Sequence, residues 1–402
     1  MATQTTHSTF LSKRHGHKHA VQKNDPIQVA TAGKSPPLQV MSLNCESMDK
    51  ADPQALAVTY WLDSSQIVKA GPLTIRFDGY REAVRENRTP GDIFTVFECV
   101  DVTPGSGPIS ITTHVENIQS GTWTVTAQPL DSGNPGGAVV ANTRAGRESE
   151  EKISSSGQTT FAPFASLLAP GVHPWAWPML VGLGVVVAFI VQTVLADYLN
   201  IPRWPLLALS TVSALSGLLG AKIYYGITQF LKGQRCLRNL LSGACIQGFI
   251  LGAAMTLVSG AIIFDLPTGS VLDLTAPALM FAMAVGRYGC IFGGCCVGKP
   301  TSSRWGIWSS DRRVGLRRIP VQILESTVAL LVGIMSLYAV LYLKPVPNGT
   351  VFVGSIAIYT LSRQLLFPLR DQRRQTAKGR LVVTLACLGA LLLDLVAVIT
   401  LN

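Results

Sequence analysis

At 402 residues the chain exceeds what one compact core commonly holds, which favours two domains. Charged residues make up only 14% of it, against roughly 25% in soluble domains, apolar residues reach 48% and mean hydropathy is +0.34, so a wholly water-soluble protein is excluded. The net charge of +10 sits mostly in short loops between apolar runs, a placement that suits membrane lipid and its anionic headgroups and argues for no nucleic acid partner.

Met1 to Lys23 is polar and lacks an apolar h-region, so no cleavable signal peptide is expected and targeting falls to the first hydrophobic span. Residues 1–36 read as a disordered basic tail closed by Ser35-Pro36-Pro37; His15, His17 and His19 either belong to that tail or bind a metal. Residues 37–132 change to short β-prone runs at Leu38–Leu43, Ala55–Leu62, Leu73–Tyr80, Ile93–Val102, Ile109–Val115 and Trp123–Pro129, separated by turn residues, which predicts a small all-β sandwich domain. Cys45 and Cys99 either cross-link two of its strands in an oxidising compartment or stay as two buried thiols. Residues 133–172, rich in Gly, Ser and Glu, read as a linker.

From 173 to 402 the chain reads as a polytopic α-helical membrane domain of about seven transmembrane helices, near 175–197, 204–228, 240–264, 271–291, 320–342, 349–368 and 380–401. One set of connecting loops carries Lys232, Arg235, Arg238, Lys299, Arg304, Arg312, Arg313, Arg317, Arg318, Arg370, Arg373, Arg374, Lys378 and Arg380; the other carries only Asp197, Arg203, Asp265 and Lys344. Positive-inside bias alone places the basic set, and the N-terminal domain with it, in the cytoplasm. The eight cysteines form no framework, no histidine follows His173, and the Gly-Gly-Cys-Cys cluster at 293–296 reads as packing, so no metal is assigned.

The densest chemical signal runs from Gly286-Arg287-Tyr288-Gly289-Cys290 to Gly293-Gly294-Cys295-Cys296-Val297-Gly298-Lys299-Pro300-Thr301. Its five glycines weaken a helix by roughly 1 kcal/mol each, so the backbone is expected to leave helical geometry at membrane depth, where only an interior or a cavity tolerates it. Arg287 then faces an internal partner or an anion, unless it snorkels to the interface. Arg363 and Arg370 lie seven residues apart at the end of the sixth span, with Pro368 between them expected to break or kink the helix. Three guanidinium groups at headgroup depth make a phosphate clamp; ordinary helix-end anchoring is the alternative.

Gly286 to Thr301 resembles the signature of the prolipoprotein diacylglyceryl transferases in its Gly-Cys-Cys variant. Leu219-Gly220-Ala221-Lys222-Ile223-Tyr224-Tyr225 resembles the family's Gly-x-Arg-x-x-Tyr segment with Lys222 for arginine, and Ser242 to Gly248 resembles its third-span Gly-Gly motif. Ile319-Pro320-Val321-Gln322-Ile323-Leu324-Glu325 resembles its His-Pro-x-Gln-x-x-Glu opening of the fifth span, and Tyr359 to Arg370 its sixth-span Tyr-x-x-x-Arg segment. The departures are Gln247 for the third-span histidine, Ile319 for the His of His-Pro, replaced Asn and Glu around Cys290 and Cys295, and Phe367 for the sixth-span Glu.

The resemblance implies transfer of the diacylglyceryl group of phosphatidylglycerol to the thiol of a lipobox cysteine in an exported preprolipoprotein, with release of glycerol 1-phosphate and with no cofactor. It assigns Arg287 and Arg363 to the catalytic clamp and Gln247 to hydrogen bonding in the place of a base. It assigns Tyr224, Gly286, Gly289, Gly294, Gly298, Gln322, Glu325, Tyr359 and Arg370 to substrate binding. Its substrates are phosphatidylglycerol and lipobox-containing preprolipoproteins, and it puts the protein in the bacterial plasma membrane with the N-terminal domain extracytoplasmic, against the charge bias. A non-catalytic phospholipid-binding or lipid-transport-like protein that keeps the clamp is the alternative.

Overall fold

The computed structural model describes residues 37–42, 51–67, 70–83, 89, 91–130, 153–231, 245–343, 347–371 and 379–401. The His-x-His-x-His tail, Cys45 and residues 131–152 lie outside them. The chain forms two compact units: Met1–Trp177 with Cys290–Val321 and Leu369–Gln372, and Pro178–Gly289 with Gln322–Pro368 and Arg373–Asn402.

The first unit is an antiparallel sandwich. Its strands are β1 (Leu38–Met41), β2 (Gln54–Asp63), β3 (Gly71–Arg81), β4 (Ile93–Val102), β5 (Pro108–Glu116), β6 (Thr122–Leu130), β7 (Ile153–Gln158), β8 (Thr160–Phe161), β9 (Ile307–Ser310) and β10 (Val314–Arg318). One sheet runs β1-β2-β5-β10-β9 with β8 on β2, and the other runs β4-β3-β6-β7. Alternation sends Leu73, Ile75 and Phe77 of β3 and Trp123, Val125 and Ala127 of β6 inward, into a core shared with Val58, Ile109 and Ile111.

Six of the ten strands fall on the six β-prone runs. Two more come from residues read as a linker, followed by a short helix α1 (Ala162–Ala165). The last two come from the basic loop after the glycine-rich segment: β10 pairs with β5 in the register Val314↔Ile111 and Gly315↔Ser110, and Leu316 enters the sandwich core. Trp308 stacks on Trp61 with centroids 5.8 Å apart, and its indole N–H donates to the Pro108 carbonyl at 2.9 Å. The hairpin turn is held by the Asp311 carboxylate, which accepts the N–H groups of Arg313 and Val314 at 3.0 and 2.7 Å. Because a hairpin of the membrane half completes the N-terminal sandwich, the sandwich and this loop share one side of the membrane.

Arg318 closes the same unit. It is only 2% exposed and donates to Asp371 at 2.6 Å, to Asp311 at 3.1 Å, and to the carbonyls of Gly298 and Val314 at 3.2 Å. Its carboxylate partners are partly hydrated, so they recover solvation when the guanidinium is removed. Arg318→Ala is therefore expected to cost about 2–3 kcal/mol, at the charge-assisted hydrogen-bond scale, rather than the full penalty of a stranded buried charge. Faster protease cleavage between 298 and 318 in detergent micelles checks it.

The helices after α1 are α2 (Ala176–Tyr198), α3 (Arg203–Leu231), α4 (Ile246–Ile263), α5 (Thr268–Phe292), α6 (Val321–Tyr338, continued as a π turn over Ala339–Leu343), α7 (Thr350–Leu366, continued as a 3-10 turn over Phe367–Leu369) and α8 (Gly379–Leu401). Six of them, all but α4, are long and apolar enough to cross a membrane; α4 is apolar but shorter. The expected third span at 240–264 thus appears as α4, and residues 232–244 before it lie outside the description. Exposed Leu392, Leu393 and Ile399 on α8 mark a surface suited to lipid.

Small residues let α3 and α4 approach closely. A Cβ on Gly248 would collide with the Gly220 carbonyl and come within 2.5 Å of the Tyr224 Cβ, while one on Gly252 would meet the Ser216 carbonyl at 2.6 Å. Gly248→Leu is expected to force these helices apart and to reduce the recovery of monodisperse protein in detergent severalfold, measured by size-exclusion chromatography. Asp273, buried in α5, accepts the N–H groups of Gly349 and Phe352 at 2.6 and 3.0 Å, so this intramembrane carboxylate caps the start of α7.

One backbone expectation is corrected. The segment from Gly286 does not leave helical geometry; α5 continues through Gly286, Arg287 and Gly289 to Phe292, and the departure begins at Gly293-Gly294. Propensity costs at these glycines are outweighed by the hydrogen bonds a helix secures where water is absent. The break at Pro368 follows the sequence: the α-helix ends at Leu366 and a 3-10 turn follows.

Candidate active site

In the second unit three helices bring four of the named residues together. Arg287 of α5 places Nη1 3.1 Å from Glu325 Oε2, and its Nε–H donates to the Tyr359 hydroxyl at 3.4 Å. Arg363, one turn after Tyr359 on α7, places Nε 3.8 Å from Glu325 Oε1, an ion-pair distance too long for a hydrogen bond. Glu325 on α6 is 1% exposed, Arg287 12% and Arg363 33%. A buried carboxylate thus lies between two guanidinium groups, so these three side chains together carry one net positive charge.

Packing explains the placement. Met280 and Ala284 of α5, Ala329 and Val332 of α6 and Tyr359 of α7 form one buried cluster, and the Ser326 hydroxyl, next to Glu325, donates to the Ala284 carbonyl at 2.7 Å. These contacts fix α6 against α5 beside the charged group. Gln322 is buried one turn before Glu325 on α6.

The other named residues are distributed differently. Gly286 and Gly289 lie within α5, and Tyr224 is an exposed residue of α3 whose Cβ borders Gly248. Gln247 is in the first turn of α4, and its side chain lies outside the described residues. Gly294, Gly298 and Arg370 belong to the sandwich unit. There the chain after α5 is laced to residues 369–371: Lys299 N–H donates to the Leu369 carbonyl at 2.8 Å, Asp371 N–H to the Val297 carbonyl at 3.0 Å, and Gly298 bridges Arg370. Gly298 is required because a Cβ would collide with the Ile319 carbonyl, and Gly294 because its φ of +62° favours glycine. Arg370 is buried in this lacing.

Sequence reading missed two groups. Arg318 with Asp311 and Asp371 was hidden in a loop whose charge read as a surface property. The cysteines were read as packing, yet Cys290, Cys295 and Cys296 hold their Sγ atoms within 4.8 Å of one another. Hydrogen bonds from the Cys295 thiol to Cys290 and Cys296, together with burial, push it far above the ordinary thiol range.

A model of the family described as prolipoprotein diacylglyceryl transferase matches residues 169–401, more than half of the chain. The chain belongs to this family. The matched stretch holds α2 to α8 together with β9 and β10, whereas β1 to β8 precede it, so the transferase half supplies the hairpin that completes the added sandwich. A phosphatidylglycerol–prolipoprotein diacylglyceryl transferase of Clostridium tetani (strain Massachusetts / E88) is 26% identical over 210 residues, covering 51% of this chain and 84% of that protein. A second, numbered 2, from Clostridium perfringens (strain 13 / Type A) is 25% identical over 211 residues, covering 51% and 82%. The chain is accordingly a member of a transferase family, and in this chain most of a β domain precedes the apolar helices.

Proposed function

We propose that the protein transfers the diacylglyceryl group of phosphatidylglycerol to the cysteine thiol of a lipobox-containing preprolipoprotein, releasing glycerol 1-phosphate. The observation that carries this reading is the pair of guanidinium groups held on one buried carboxylate inside the helical unit. A phosphodiester carries one negative charge and the departing monoester gains a second as the carbon–oxygen bond breaks. A site with net positive charge therefore binds the transition state better than the lipid, which is the condition for accelerating the step. Arg287, oriented by Glu325 and Tyr359, and Arg363, more open, are the groups assigned to that phosphate; Arg370 contributes less.

The acceptor sulfur must ionise from a reference pKa of about 8.5, and nearby guanidinium charge favours the thiolate. Gln247 can hydrogen-bond a headgroup but cannot take a proton. Gln247→Ala is expected to lower the transfer rate only about two- to tenfold, the scale of losing a hydrogen bond of about 0.5–1.5 kcal/mol, measured on the purified protein. Gln247 and Ile319 in the places of imidazoles favour the second reading, a phospholipid-binding protein without turnover. Incubating a lipobox peptide with phosphatidylglycerol and the purified protein separates the two: transfer adds a diacylglyceryl mass to the cysteine, and binding alone adds none.

The reading also places the signature loop and the sandwich outside the cytoplasm, where exported preproteins emerge. Three of the loop arginines that oppose this by charge bias are engaged in structure: Arg318 is buried, Arg313 pairs with Glu98 at 2.6 Å, and Arg312 donates to the Gly293 carbonyl at 2.8 Å. A membrane-impermeant maleimide is expected to modify a Ser65→Cys variant, exposed in the sandwich, on intact cells. Modification only after lysis would place the sandwich in the cytoplasm.

A further inference from the structure

We infer that Cys290, Cys295 and Cys296 form a site for one thiophilic divalent ion, zinc in the first instance, with three thiolate ligands and one coordination position left open. The three Sγ atoms already lie within 4.8 Å of one another. Zinc–thiolate bonds of about 2.3 Å set sulfur–sulfur edges of about 3.8 Å in a tetrahedron, so closure around an ion asks for shifts of only about 1 Å.

The backbone makes this convergence. Cys290 is the buried member near the end of α5, and the Cys295 N–H donates to its carbonyl at 3.0 Å, folding the chain back on the helix. Gly294 and Cys296 both take left-handed conformations, with φ of +62° and +55°, which turn the two later sulfurs toward the first. A non-glycine residue held at positive φ is uncommon, and here it serves to aim a thiol at two others. As a thiol Cys295 is hydrogen-bonded to Cys290 and Cys296; binding an ion displaces the protons and replaces those bonds with coordination.

Three protein ligands leave a fourth position for an exogenous group. Thiolate-rich coordination selects soft partners, and a coordinated thiol is deprotonated outright, so a cysteine thiol is the ligand class that position fits. That extension rests on the transfer proposed above, in which the acceptor is a thiol and the family's imidazoles are replaced by Gln247 and Ile319. On coordination the acceptor would lose its proton to water and be held as a thiolate.

The test uses the full chain, purified under reductant in detergent, equilibrated with zinc or cobalt(II) and freed of loose ion. Wild type is expected to retain about one ion per chain, with thiolate-to-cobalt charge transfer in the near ultraviolet. Cys295→Ser and Cys296→Ser, which eluting as wild type shows to be folded, are expected to retain at least tenfold less. Cys387→Ser, outside the triad, is expected to retain as much as wild type. Retention below about a tenth of an ion by wild type, equal retention by the Cys295 and Cys296 variants, or a disulfide trapped among the three in freshly alkylated protein would each overturn the site. A lipobox peptide is expected to shift the cobalt spectrum and its serine counterpart to leave it unchanged; no shift with the ion bound would overturn the thiol position alone. Absence of transfer with ion and peptide both bound would count against the reaction and not against the site.

Discussion

Arg287→Ala is expected to lower the rate of diacylglyceryl transfer by roughly 10²–10³, the loss typical when a preorganised donor to developing transition-state charge is removed. The magnitude follows from preorganisation. Its guanidinium is held at 3.1 Å by Glu325, with Tyr359 on its Nε at 3.4 Å, so little reorientation precedes the bond-breaking step. Arg287→Lys is expected to recover only a small part, because an ammonium cannot reproduce the planar, bidentate fork of a guanidinium. Arg363→Ala should also lower the rate strongly, since this guanidinium is the more exposed of the pair and shares the same carboxylate. Initial rates at saturating phosphatidylglycerol check each variant; wild-type turnover in folded Arg287→Ala would remove it from the site.

Glu325→Ala is the second large effect, and it falls on stability as well as rate. The carboxylate is almost completely buried between two guanidinium groups, and removing it leaves Arg287 in a site that hydrates it poorly. Breaking a buried pair from one side costs about 3–5 kcal/mol, so the thermal midpoint in detergent should fall by several degrees. Adding Arg287→Ala should recover part of that loss, because the charge that was stranded is gone. Recovery in the double variant identifies Glu325 as a positioning residue for the arginines; strictly additive losses would show that the two do not act on each other.

Much of the fold could be read from the residues because the physics was local. β3 alternates inward apolar and outward polar residues over Leu73–Gly79 and β6 over Thr122–Gln128, and α2 and α8 are long, predominantly apolar runs. β7 was missed because Ile153-Ser154-Ser155-Ser156-Gly157-Gln158 carries a single apolar residue; its place depends on pairing with β6 and on Gly157 meeting Val40. β9 and β10 were missed because Asp311-Arg312-Arg313 reads as a charged loop, while the hairpin is specified by β5, some 200 residues earlier.

The candidate site divides the same way. Arg287, Arg363, Tyr359 and Glu325 could be named from family-like motifs, but no spacing indicates that one carboxylate serves two arginines on different helices. Glu325 was grouped with substrate-binding residues, whereas its carboxylate lies against the arginines. The glycines at 286 and 289 suggested an unwound backbone, and the helix persists because a dry environment penalises unsatisfied amides more than it penalises glycine.

Transfer by this chain couples lipid consumption to peptide modification, and that coupling can be measured in one reaction. Phosphatidylglycerol labelled in its headgroup is incubated with the purified chain and a lipobox peptide, and soluble glycerol phosphate is counted against lipidated peptide. Equal amounts of the two products are expected, none without the peptide's cysteine, and almost none with Arg287→Ala. Phosphatidylglycerol bound by folded wild-type protein, with peptide present and no glycerol phosphate released, would contradict it.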